Sequence, residues 1–372
     1  MENHAVLILG TAEVMCCIVM ATVFLALPIP TNKVLNNYRI SLRFLTGAYI
    51  LMALLKIYLL VFDIKLINII PIENLILSVS QALLFSSALI TLLNPKFNGF
   101  RFLLNKILIL IVLMLSCFIL SFWWVNPEIS SFDALKVNLW QPCMVVRQIT
   151  LLYYMYLLIV LTKEFQTQEK NYIKEIDNYY ADNSTLKLSW VKYCFYASLV
   201  IGLIALASFI IISEVFSLYI DIIFTLFYLF FGLYYIQYPR TFELIEPAFI
   251  SIEAEGTELL KKTKSNNWNE LKTQIISEKY YLKTGANIAD MAQHLKIGRT
   301  TLSNMINNEE KMNFNSWVNM MRIEEAKRIL LDKQNISLSQ IAETVGYSES
   351  SNFSKQFKIC TGKTPSSWRQ KQ

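Results

Sequence analysis

The chain has 372 residues, of which 54% are hydrophobic and 17% charged, with a net charge of +6. Soluble domains carry about 25% charged residues, so a single water-soluble globule is excluded as a description of the whole. There are two histidines and six cysteines, and no CxxC pair, which speaks against a histidine-based hydrolase or a zinc site; no cofactor, metal or enzyme activity is expected.

No basic stretch precedes the first apolar run, and Glu13 interrupts it, so a cleavable leader is not expected. The apolar excess ends near Tyr238. Before it, seven runs are long enough for a hydrocarbon core about 30 Å thick: 5–27, 40–62, 69–93, 103–125, 137–161, 191–213 and 216–238. Lipid offers no partner for free backbone N–H and C=O groups, so each run should be helical. Only Glu214 and Val215 separate the last two.

If the polar, charged C-terminal part is cytoplasmic, an odd number of spans puts the N-terminus outside. The inner loops 28–39, 94–102 and 162–190 carry Lys33, Arg39, Lys96, Arg101, Lys163, Lys170, Lys174 and Lys187. The outer loops carry chiefly Lys65 and Lys136 beside Asp63, Glu128 and Asp133, in agreement with the positive-inside rule. Trp123, Trp124 and Trp140 suit outer anchors, and Trp190, Tyr234, Tyr235 and Tyr238 inner ones. Within the 162–190 loop, Phe165, Tyr172, Ile176 and Tyr179 share one helical face. This predicts an amphipathic helix that continues the fifth span and lies on lipid or couples the bundle to the C-terminal domain.

Several ionisable residues fall inside spans, among them Glu13, Arg43, Lys56, Glu73, Arg147 and Asp221. Arg43, Glu73, Lys56 and Asp221 are near enough to span ends to reach water. Glu13 and Arg147 lie deepest and are the candidates for an intramembrane signal site or buried pair.

Residues 240–285 read as a charged linker. A helix is expected over 267–281, and Lys261, Lys262 and Lys264 form a basic cluster suited to headgroups or solvent. From Ala286 the chain writes one pattern twice. Ile288–Leu295 and Arg299–Ile306 are short helices around a turn at Ile297-Gly298. A long helix follows over Phe314–Leu331. Then Ser339–Val345, placed to be N-capped by Ser339, turns at Gly346-Tyr347 into Ser350–Ile359. Ala292 and Ala342 are small enough for steeply crossing helices, and Gly346 accepts positive φ. Leu295, Ile297, Leu302 and Ile306 close one small core; Ile341, Val345, Tyr347, Phe353 and Phe357 close another.

The run from Ile341 to Lys358, closing with Thr361-Gly362-Lys363-Thr364-Pro365-Ser366-Ser367-Trp368-Arg369, resembles the AraC/XylS signature. Arg322-Ile323-Glu324-Glu325-Ala326-Lys327 is similar to that family's inter-motif helix. The whole order also resembles bacterial proteins that join a seven-span membrane domain to such a domain. The resemblance implies two recognition helices presented to successive major-groove segments. By position it offers Arg299, Thr300, Ser303 and Asn304 on the first, and Ser350, Ser351, Asn352 and Lys355 on the second, as base or phosphate contacts. Lys358, Lys363 and Arg369 suit phosphates or solvent. Asn352 stands where the family usually has an aromatic residue or Thr. Asn307–Met312 lacks the common glycine, and Glu309 and Glu310 would repel a nearby phosphate backbone.

The sequence therefore specifies an all-α protein: a seven-helix transmembrane bundle over 1–239, a linker over 240–285, and a cytoplasmic double helix-turn-helix domain over 286–372. The expected partners are promoter DNA, the lipid bilayer of the bacterial cytoplasmic membrane, RNA polymerase if the protein activates, a second copy if it dimerises, and an unidentified ligand. The competing expectations are a passive tether or dimerisation platform, and a transporter or enzyme with an appended regulatory domain.

Overall fold

The computed structural model describes residues 2–29, 35–61, 69–94, 97–123, 129, 131–182, 186, 188–208, 214–249, 268–332 and 336–370. Lys33, Asp63, Lys65, Lys96, Trp124, Glu128, Lys187 and the cluster Lys261, Lys262 and Lys264 lie outside them. The described residues are overwhelmingly helical and contain no strand, only an isolated bridge between Tyr180 and Asn287. Two compact units divide the chain: Met1–Lys170 with Leu188–Phe242, and Asn171–Lys187 with Glu243–Gln372. The second unit thus reaches into the long loop and into the stretch read as linker.

The first unit holds α1 (Glu2–Ala26), α2 (Asn36–Val61), α3 (Ile72–Leu93), α4 (Gly99–Trp123), the short α5 (Phe132–Asn138), most of α6 (Pro142–Tyr179), α7 (Ser189–Ser208) and α8 (Glu214–Ile236). Among the described residues seven helices are long and apolar enough to cross a bilayer: α1 to α4 and α6 to α8. The window that qualifies α3 is 72% buried and that of α4 is 17% buried, so α3 forms the centre of the bundle and α4 its rim. The fifth run breaks where a single span was expected. Ser131 caps α5 by accepting from the Ala134 N–H at 3.2 Å, and Pro142 restarts the helix at its first position, where a missing N–H costs nothing. Glu214 and Val215, expected as the joint between the last two spans, fall in the first turn of α8.

Side chains from distant helices lock the bundle. Tyr38 donates to the Tyr235 carbonyl at 3.1 Å, Tyr49 to the Tyr228 carbonyl at 2.6 Å, and Tyr238 to the Leu92 carbonyl at 3.2 Å. The hydroxyls of Ser41 and Tyr235 also meet. Tyr235 and Tyr238 are therefore core residues rather than interfacial anchors, because buried hydroxyls need protein partners. Tyr234, Trp123 and Trp140 are exposed.

The helix predicted to continue the fifth span is present: α6 runs unbroken to Tyr179. Its apolar face is covered by protein, with Phe165, Tyr172, Ile176 and Tyr179 all buried. Phe165 stacks on Phe195 in the first unit, and Tyr172 on Phe249 in the second.

The second unit contains α10 (Trp268–Glu278), a 3-10 turn (Tyr280–Leu282), α11 (Ile288–His294), α12 (Arg299–Met305), a π turn (Ile306–Glu310), α13 (Phe314–Asp332), α14 (Leu338–Thr344), α15 (Ser350–Thr361) and α16 (Pro365–Gln370). It also takes in the C-terminal part of α9 (Tyr238–Phe249). Ile323, Ala326 and Leu330 of α13 pack with Ile341, Ala342, Val345, Tyr347, Phe353 and Phe357, so the long helix supplies one wall of the second small core. Ser337, not Ser339, caps α14. Its hydroxyl accepts from the Gln340 N–H at 3.2 Å, while the Gln340 side chain accepts from the Ser337 N–H at 3.1 Å.

Candidate nucleic-acid interface

The two predicted motifs are the pairs α11–α12 and α14–α15. Arg322, on α13, ties them to the rest of the unit. It is fully buried and donates to the Tyr281 carbonyl at 2.7 Å and the Lys283 carbonyl at 2.8 Å, with its guanidinium over the Tyr347 ring. Tyr347 in turn donates to Asn319 at 2.6 Å. The turn of the second motif therefore rests on a hydrogen-bonded network rather than on apolar packing alone.

The eight predicted contact residues lie on α12 and α15. Thr300, Asn304, Ser350, Ser351 and Lys355 are exposed; Arg299, Ser303 and Asn352 are half-buried. The half-burial of Asn352 has its cause in the chain that follows α6, and that of Arg299 in the end of α6 and in α9. Ala181 donates its N–H to the Ala286 carbonyl at 3.0 Å, beside the Tyr180–Asn287 bridge. Asn315 donates to the carbonyls of Tyr180 and Ala181 at 3.1 and 2.8 Å, and Asn319 to Ala181 at 3.1 Å. This seats residues 179–182 against α13 and brings Asp182 to the start of α15. There Asn352 donates to one carboxylate oxygen at 2.7 Å and Ser348 to the other at 3.2 Å. At the other motif, Arg299 lies over the Tyr179 ring at 4.7 Å and donates to the carbonyls of Pro247 and Ala248 at 3.1 and 3.0 Å. Tyr180 donates to the Leu244 carbonyl at 2.5 Å, and burial pushes its hydroxyl up to about 12, so it stays a donor at neutral pH.

Three further expectations meet their structural counterparts. Glu310 lies beside Lys272 at 2.8 Å and accepts from the Trp268 ring N–H at 2.7 Å, so its charge is compensated inside the unit. The missing glycine after the first motif is replaced by Lys311 at φ 57°. Arg369 donates to the Ile336 carbonyl at 2.8 Å, a structural bond, whereas Lys358 is exposed. Sequence reasoning missed Asp182 altogether, since 170 residues separate it from Asn352.

A helix-turn-helix domain family matches residues 291–371. The C-terminal part of this chain is an AraC-type helix-turn-helix domain. The chain is 32% identical over 108 residues to a raffinose operon transcriptional regulatory protein (RafR) of Pediococcus pentosaceus, covering 29% of this chain and 38% of that one. It is 32% identical over 83 residues to the arabinose operon regulatory protein of Escherichia coli K12, covering 22% and 28%. It is also similar to the solved C-terminal domain of AraT, a response regulator from Geobacillus stearothermophilus, with 27% identity, a TM-score of 0.27, and coverage of 29% of this chain and 87% of that one. The matched part thus spans well under half the length of the curated relatives. Among the described residues no group of His, Cys, Asp and Glu could hold a metal.

Proposed function

We propose that this protein is a membrane-anchored, sequence-specific transcription regulator of the bacterial cytoplasmic membrane, in which α6 couples the apolar bundle to promoter reading. Recognition by α12 and α15 would use Arg299, Thr300, Ser303, Asn304, Ser350, Ser351, Asn352 and Lys355, with double-stranded promoter DNA as partner and RNA polymerase as a second one if the protein activates.

The observation that carries the coupling is the engagement of both recognition helices by chain flanking the DNA-binding domain. Arg299 gives one bond from each terminal nitrogen to an α9 carbonyl, which holds its guanidinium against α9 and competes with its use on guanine or phosphate. Asp182 places a carboxylate at the start of α15, where a DNA phosphate would otherwise accept. This arrangement is a held state. Because residues 179–182 directly continue α6, a shift of that helix in the bundle would move Asp182 and Tyr179 and release α15 first.

The test is genome-wide occupancy of the full-length protein beside an Asn304→Ala/Lys355→Ala variant, with membrane fractionation of both. Discrete peaks over a shared motif, lost in the variant while the protein stays in the membrane fraction, are expected. Absence of a motif from the full chain and from an Asp182→Ala chain would sink the reading and return the transporter or enzyme alternative. Release without change in the bundle's state would favour the passive tether.

A further inference from the structure

Inside the first unit, six helices surround a cavity of about 140 Å³. Its wall is mostly apolar, with Leu55, Leu77, Phe85, Leu158, Phe224 and Phe227 among the lining residues. At one side stand three ionisable side chains from three helices. Lys56 lies 2.9 Å from Glu13 and 2.7 Å from Asp221. Their side chains are 16%, 4% and 25% exposed, so the group is largely withdrawn from solvent. Arg147 is also buried but does not line this cavity.

Two carboxylates around one ammonium carry a net charge of −1. A buried charge without compensation is costly, and a paired one is tolerated. A ligand that brought one positive charge would complete the balance. Gln81, which also lines the cavity, is already used: it donates to the Ala48 carbonyl at 2.7 Å and accepts from Tyr228 at 3.1 Å. The volume suits a small body, since an apolar cavity of roughly 150 Å³ takes one the size of benzene. Phe85, Phe224, Phe227 and Tyr228 supply ring faces and edges for such a body, and the faces also suit a cation.

We infer that this cavity is a binding site for a small monoamine: one ammonium group, held by Asp221 and Glu13, on an apolar body about the size of a phenyl ring. This deepens the sensing half of the proposed function and rests on the bundle lying in a membrane. Lys56 is a positioning residue that holds the two carboxylates together, and an incoming ammonium shares them.

The test is equilibrium dialysis of labelled phenethylamine and hexylamine against full-length protein in phosphatidylcholine nanodiscs, with empty nanodiscs subtracted. One saturable equivalent per chain is expected. Phenylacetate and 2-phenylethanol should compete at least about tenfold less well, because they lack the charge that the site needs. Asp221→Asn and Glu13→Gln each neutralise the triad and should weaken binding by about tenfold or more, while Asp221→Glu keeps the charge and should restore most of it. That rescue separates loss of the site from loss of the fold. No saturable excess over empty nanodiscs, equal competition by phenylacetate, or binding unchanged in both neutralised variants would overturn the site. The assay contains no DNA, so its failure leaves promoter reading standing, and loss of promoter occupancy leaves the amine site standing.

Discussion

In the second helix-turn-helix unit the chain turns through Gly346 at φ 88°, whereas in the first it turns through Lys296 at φ 57°. The two motifs make the same bend under different constraints. A Cβ on Gly346 would sit 2.4 Å from the Leu282 carbonyl oxygen and 2.9 Å from Arg322, so both the dihedral and the space demand glycine there. Lys296 is exposed, and a lone left-handed residue at an open turn is tolerated at modest cost. The turn of the second motif is thus built tightly around Arg322, and the turn of the first is open. The sharpest way to break this contrast is Gly346→Ala, which should destabilise the second helix-turn-helix motif by about 3 kcal/mol through backbone strain and displacement of the Leu282 carbonyl and the Arg322 guanidinium. Hydrogen exchange of the full-length protein should show α14 and α15 deprotected, with α11 and α12 changed far less. Equal deprotection of both units would mean that they form one cooperative block.

A second difference concerns what each unit offers DNA. Asn304 is exposed on α12, and Lys355 is exposed on α15. Asn304→Ala should cost about 2 kcal/mol on the best site and relax preference at one base pair, as loss of a two-point adenine contact does. Lys355→Ala should weaken all sequences alike and lower the salt slope by about one. Binding titrations at several salt concentrations on matched and mismatched duplexes separate the two. A uniform effect from Asn304→Ala would remove it from base reading.

The units are also held differently. Asp182 grips α15 through side chains, while Arg299 of α12 bonds to backbone carbonyls. One substitution can therefore free the second unit and not the first. Asp182→Ala should raise DNA affinity by about tenfold, ~1.4 kcal/mol, by removing a charge-assisted bond and a carboxylate from the phosphate path. Unchanged affinity would mean that the contact coexists with bound DNA.

Much of this was legible in the sequence because it is local. Apolar runs of bilayer length, the face shared by Phe165, Tyr172, Ile176 and Tyr179, the left-handed Gly346 and the small cores of both motifs need only neighbours along the chain. Pairings across long separations were not legible. Periodicity marks Glu13 as deep, but nothing in it brings Lys56 and Asp221 to the same place. Helical spacing shows that Tyr179 faces something, but not that the something includes Arg299. At close range the error was one of register: Ser337 precedes α14 while Ser339 lies in its first turn, and only Ser337 has Gln340 three residues on to complete the box.

The smallest expected effect tests how the first unit manages without the tight turn of the second. Its C-terminal edge ends in the π turn and Lys311, and Glu310 anchors that edge to α10. Burial raises the Glu310 carboxyl, but hydrogen bonds from Lys272 and Trp268 outweigh it and leave it below the ordinary carboxylate value. A carboxylate with a lowered value contributes stability that is fully present above the unfolded value of about 4.3 and is lost as pH falls through the folded one. The bond is partly exposed to water, so its contribution should stay below about 1 kcal/mol. Hydrogen exchange across 268–278 should therefore quicken, after correction for the intrinsic rate, as pH drops through the range below 4.3. Glu310→Gln should start from the quicker value and show little pH response. If wild type and variant respond alike, the docking of α10 rests on the packing of Trp268 against Trp317, whose ring centroids lie 5.5 Å apart, and the ion pair is incidental.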